Sequence, residues 1–131
     1  TQGVNQGVGY KVASLGNYGG DVPYTAYNAR ISYINENKDV IESFTKAIQK
    51  GLDYVNSTDS IEIAKTILDF FPDTSLKDLT SAVDSYKKND TWPKSTEFTE
   101  KSFDHLQEIL VSAGQLDKDK TVKYSDLIYV K

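Results

Sequence analysis

The sequence predicts an α/β chain that is mostly helical, with two short strands near the N-terminus followed by about five helices. Three observations carry this reading. Tyr10-Lys-Val-Ala-Ser-Leu15 and Tyr24-Thr-Ala-Tyr-Asn28 supply the β-branched and aromatic content of strands. Gly16, Gly19, Gly20 and Pro23 break the chain between them. From Ile31 onward apolar residues recur with the helical period almost to the C-terminus. This is the pattern of a chain that leaves a sheet, crosses a joint and enters a helical layer, so the joint is where function is sought.

Residues 1–9 are polar and glycine-rich, which predicts a poorly ordered lead-in. Gly7-Val-Gly9 lacks the third glycine and the following helix that a dinucleotide fingerprint needs. In the loop, the glycines fit either a tight crossover turn or a bare backbone that faces a ligand. Tyr24 and Tyr27 are three apart and cannot share one face of a regular strand, so one is expected to pack and the other to face a cleft. A short helix from Arg30 is expected to stop at Asn35-Glu-Asn37, where Asn37 caps the next one. In that helix Val40, Ile41, Phe44, Ala47, Ile48, Leu52 and Val55 form one stripe, opposite a solvated face with Glu42 four residues before Lys46.

Asp59 with Glu62 reads as a capping box for a helix with Ile63, Ala64, Ile67, Leu68 and Phe71 apolar, closed by Pro72. Ser75 with Asp78 opens another, with Leu76, Leu79, Ala82, Val83 and Tyr86 inward and Lys87-Lys88 at the end that favours cations. After the linker 89–96, Thr99 caps a further helix between the staple residues Phe98 and Phe103, and Gly114 gives it a left-handed stop. Phe103, Leu106, Ile109, Leu110 and Ala113 make its buried stripe, and residues 121–130 read as a tail that docks back on the body. There is no fixed-period repeat and no low-complexity tract.

The net charge of −4, with both signs interspersed, offers no footprint for nucleic acid and no polybasic membrane patch. The absence of cysteine removes disulfide, zinc-thiolate and thiol chemistry. No apolar run reaches the length of a membrane span, and the first residues lack the form of a signal peptide. With no methionine anywhere, the chain is expected to be a processed piece or a fragment of something longer. His105 is the single histidine and reads as a surface or packed residue, since a metal site or triad needs partners. The carboxylate pairs fit caps and turns, the sequons at Asn56 and Asn89 are chance matches, and no catalytic residue, metal or cofactor is expected.

What remains is aromatic. Tyr18, Tyr24, Tyr27 and Tyr33 gather near the glycine loop and Trp92 sits in a later loop. Core packing is the ordinary role of such residues, whereas their gathering beside a bare backbone fits a small-molecule cleft.

The run Val12-Ala-Ser-Leu-Gly16, Gly19-Gly20, Val22-Pro-Tyr-Thr-Ala26 and Ala29-Arg-Ile-Ser-Tyr-Ile34 resembles the back half of substrate-binding proteins of ABC importers. Asp90-Thr-Trp92, Ser102-Phe-Asp-His-Leu106, Ala113-Gly-Gln-Leu116 and Val122-Lys-Tyr-Ser-Asp-Leu127 are similar to that family's C-terminal region. The subgroup is the one for nitrate, sulfonate, taurine and thiamine precursors. The resemblance implies part of a periplasmic-binding-protein type II-like fold, in which residues 1–22 end one lobe and cross over while residues 23–131 complete the other. It also implies capture of a small solute near Gly19, Gly20, Tyr24, Tyr27 and Trp92 for delivery to a permease. The setting it implies is periplasmic or cell-surface, with membrane contact only through a lipid anchor or the permease. A chain lacking the front half is expected to bury its open stripes by self-association or partner contact. The rival from another class is a self-contained helical interaction module whose apolar groove holds a helix or peptide.

Overall fold

The computed structural model describes residues 2–89 and 91–129. Asp90, quoted in the Asp90-Thr-Trp92 match and in one sequon, and Val130 at the end of the tail lie outside them, as do the outermost positions of the two lobe assignments. The described residues contain six α-helices: α1 (Gln2–Asn5), α2 (Ile31–Glu36), α3 (Lys38–Ser57), α4 (Ser60–Ile67), α5 (Leu76–Lys88) and α6 (Glu100–Ser112). Single 3-10 turns lie at Leu15–Asn17, Leu68–Phe70, Lys118–Lys120 and Tyr124–Asp126.

The α/β class is overturned, because the described residues form no strand and no sheet. Tyr10–Leu15 and Tyr24–Asn28 have strand-like composition, yet among the described residues neither pairs with a neighbouring strand. A strand is defined by pairing, and intrinsic preference without a partner strand does not create one. Tyr10 and Val12 are each 95% exposed and Tyr24 is 97% exposed, so these segments have no apolar face to shelter against. The lead-in also departs from expectation. Val8 N–H bonds Gly3 O at 2.9 Å and Gly7 N–H bonds Val4 O at 3.1 Å, with Gly7 at φ 72°, which is a Schellman closure of α1.

The later helices begin and end where their local chemistry directs. Ser75 Oγ accepts from Asp78 N–H at 3.1 Å and Thr99 Oγ1 accepts from Ser102 N–H at 3.3 Å, each satisfying a donor the helix start leaves over. Gly114, at φ 67°, closes α6, with Gln115 N–H on Leu110 O and Gly114 N–H on Val111 O. Two expected caps do not form. Asn37 turns back to donate to Tyr33 O at 2.9 Å, and Asp59 makes no side-chain cap while Glu62 pairs with Lys65 at 2.7 Å. Asn37 thus gives its amide to a carbonyl one turn back, and Glu62, the reciprocal member of the expected capping box, gives its carboxylate to Lys65.

The main packing is the pair α4 and α5, whose facing stripes bury Ile63, Ala64, Leu79 and Val83. A second, smaller cluster forms around α6, where Phe103 is buried and its ring lies 5.9 Å from Phe98 and 6.3 Å from Tyr124. The tail docks here as expected. Tyr124 OH donates to Phe98 O, and the buried Gln107 holds Val122 from both sides, donating to its carbonyl at 3.0 Å and accepting its N–H at 2.8 Å. Gln107→Ala is expected to strip both partners from Val122 and cost about 1–3 kcal/mol, the penalty for unsatisfied part-buried polar groups. Amide exchange at Val122 should accelerate while α5 stays protected, and unchanged protection there would show that the tail is held by its aromatic contact alone.

The long α3 differs from α4, α5 and α6. None of its residues is fully buried, although Ile41, Ile48, Leu52 and Val55 are half-covered and Val40, Phe44 and Tyr54 are exposed at 46%, 44% and 40%. Polar clips fasten it: Gln49 donates to Lys94 O at 3.0 Å and accepts from Thr96 N–H at 3.1 Å, Asn56 donates to Pro93 O at 3.1 Å, and Tyr54 OH meets Thr66 Oγ1 at 2.9 Å. A folded monomer of this mass, 14.6 kDa, exposes about 6,900 Å². This chain exposes 10525 Å². The extended segment before α2, with Tyr10, Val12 and Tyr24 almost fully exposed, contributes to that excess, and α3 adds Val40, Phe44 and Tyr54.

Candidate functional site

The glycine loop is built from a 3-10 turn outward. Tyr18 N–H and Gly19 N–H both bond Leu15 O, at 3.0 and 2.9 Å, and Gly20 then takes φ 71°, a conformation that strains any residue with a Cβ. From Gly20 to Ala29 no backbone group bonds another backbone group among the described residues. What ties the loop to the body is His105 on α6, whose Nε2 lies 2.8 Å from Gly19 O. On the far side of the ring, Nδ1 is 3.8 Å from the exposed Glu108 carboxylate. That pair is ionic only when the imidazole is protonated.

Four of the five residues predicted for the site rest on three supports, and the fifth rests on none. Gly19 and Gly20 lie against α6 through His105. Tyr27 packs edge-on against Phe44 of α3, with ring centroids 4.9 Å apart at 82°. Trp92 packs edge-on against Tyr86 of α5, at 5.5 Å and 78°. Tyr24 projects into solvent and touches no other ring. Tyr27 thus meets Phe44 while remaining mostly exposed, and Tyr24 points outward with no described wall facing it.

A concavity of about 770 Å³ lies elsewhere, between the N-terminal turn and α5, lined by residues that include Val4, Val8, Tyr10, Ser81, Asp84 and Lys88. None of the five predicted residues lines it. Among the described residues no group of histidine, cysteine, aspartate or glutamate is placed to hold a metal ion, and no helix is long and apolar enough to cross a membrane.

His105 is the residue that the sequence reading passed over. Its partner lies 86 positions away, and a single histidine in an amphipathic helix carries no local sign of such a contact. The same holds for Phe44, which reads as an ordinary stripe residue until Tyr27 is seen against it.

Comparison with known proteins places the chain beside a Bacillus subtilis (strain 168) protein named "Putative binding protein YtlA". The two are 34% identical over 123 residues, a match that covers 94% of this chain and 36% of that protein. The chain thus spans about a third of the length of the relative it matches. No family model matches the chain, and no solved structure matches it. The resemblance to binding proteins is met at that coarse level, and the printed name says nothing of an importer, a solute or a permease.

Proposed function

We propose that this chain is part of a solute-binding protein that serves an ABC importer and captures a small molecule at the glycine loop for delivery to a permease. The observation that carries the reading is the likeness of nearly the whole chain to a protein named for binding. The exposed Tyr18, Tyr24 and Tyr27 beside Gly19 and Gly20 support it, since apolar walls with a few backbone donors are what a small-molecule cleft combines. On this reading the chain binds rather than catalyses. It works outside the cytoplasm, at the membrane only through a lipid anchor or the permease, and the ligand-facing residues are Gly19, Gly20, Tyr24, Tyr27 and Trp92. The second wall of the cleft comes from polypeptide beyond these residues, which also covers the open face of α3.

Calorimetric titration of the longer protein carrying this chain, with nitrate, taurine and a thiamine-precursor pyrimidine in turn, tests the reading. One of the three should bind, and Tyr24→Ala should weaken it by roughly tenfold or more, the loss of one aromatic contact of about 1.5 kcal/mol. Tyr24 is 97% exposed here, so the substitution leaves the fold intact. Absence of binding by all three solutes, or titrations unchanged by Tyr24→Ala, would remove this loop from the site.

A second reading, a helical interaction module, draws on the all-helical character of the described residues and on the open stripe of α3. It differs in expecting a helix or peptide, and no small solute, as the ligand.

A further inference from the structure

We propose that His105 is a positioning residue, a latch on α6 that sets the conformation and place of the Gly19-Gly20 loop. The inference rests on the reading of that loop as ligand-facing. A carbonyl oxygen only accepts, so the 2.8 Å contact to Gly19 O requires Nε2 to carry the proton. This fixes the neutral ring in the Nε2–H tautomer and leaves the Nδ1 lone pair toward Glu108. Nε2 keeps its proton in the imidazolium as well, so the latch closes in both ionisation states.

Gly20 is fitted to the same ring. A Cβ on Gly20 would sit 3.2 Å from Nε2 and 3.6 Å from Cδ2 of His105, so backbone and imidazole meet where a side chain would intrude. The φ of 71° at Gly20 independently asks for glycine.

The latch stands on a rigid support and holds a segment with little else. Ser102, Phe103 and Gln107 are buried around His105, and Phe103 and Gln107 are tied to the tail by ring packing and by the paired bonds to Val122. Among the described residues from Gly9 to Arg30, the contact between His105 and Gly19 is the one hydrogen bond that reaches any residue beyond α2. Removing it leaves the loop with only its local bonds to Leu15. The N–H groups of Gly20 and Asp21, which have no partner among the described residues, then lose their fixed place for a solute's acceptor atoms.

Two measurements on the isolated chain test this without any ligand. Long-range nitrogen–proton correlation spectra at neutral pH should show His105 as the Nε2–H tautomer. Backbone heteronuclear NOE values at Gly19–Asp21 should approach those of α6 in the wild type, fall to loop-tip values in His105→Ala, and recover in His105→Gln, whose Nε2 donor reaches a similar position. Helix amides of α6 should be unchanged in all three. An Nδ1–H tautomer in the wild type, or unchanged values at Gly19–Asp21 in His105→Ala, would overturn the latch, and the tautomer measurement stands even where a variant folds poorly. In the longer protein, His105→Ala should weaken taurine or whichever probe binds by up to about tenfold, the worth of one hydrogen bond. His105→Gln should restore most of that loss. Solute binding unaffected by His105→Ala would defeat the latch and spare the proposed function, whereas the expected spectra with no solute bound would defeat the function and spare the latch.

Discussion

Ile63→Ala is expected to abolish cooperative thermal unfolding of the isolated chain. Ile63 is 1% exposed and is the largest fully buried side chain among the described residues, set where α4 meets α5. Truncation of a buried isoleucine costs about 2–5 kcal/mol, from lost transfer energy and the cavity left behind. Among the described residues the buried apolar set is small, comprising Ile63, Ala64, Leu79, Val83 and Phe103, so there is little stability in reserve. A loss of that size is a large fraction of even an ordinary domain's stability of about 5–15 kcal/mol. Ile61→Ala, two residues earlier and 46% exposed, is expected to change stability by no more than about 0.5 kcal/mol. Circular dichroism melts of the two variants check the contrast. A sharp melt for Ile63→Ala, moved by only a few degrees, would show that the chain's stability lies outside the α4 and α5 pair.

Phe44→Asp is the second large effect. The isolated chain, with α3 open along Val40, Phe44 and Tyr54, is expected to associate with copies of itself. An aromatic residue near the centre of such a patch is worth about 2 kcal/mol or more, and replacing it with a charge should weaken association by at least about thirtyfold. Phe44 also supports Tyr27, so loop order around residue 27 should fall in the same variant. Concentration-dependent sedimentation measures the first effect. An association constant equal to that of the wild type would place the contact surface elsewhere on the molecule.

The sequence carried the helices better than it carried anything non-local. Ser75, Thr99 and Gly114 announce helix ends because each acts within one turn of itself, and the structure places the corresponding bonds there. Asn37 departs for the same reason in reverse, since Tyr33 O within one turn takes its amide, and Asp59 loses its capping-box partner because Glu62 turns to Lys65. The strands could not be judged locally: Tyr10–Leu15 has the composition of one and lacks the neighbour that would make it one. The candidate site was legible only as a set of residue types. Gly20 is legible as a glycine because its positive φ strains any residue with a Cβ, whereas the contact of Gly19 with His105 spans 86 positions and leaves no periodic trace. Tyr27 and Trp92 were read as neighbours of one cleft, and they pack on Phe44 and Tyr86 of different helices.

The proposed reading makes the chain an open unit of a binding protein, with further polypeptide covering its apolar face. The exposed area and the uncovered length of α3 are its physical content. Light scattering of the wild-type chain at micromolar concentration tests it most directly. The account predicts a mass at least twice the 14.6 kDa of one chain. A sharp monomer that melts cooperatively, with no tendency to associate as concentration rises, would contradict it.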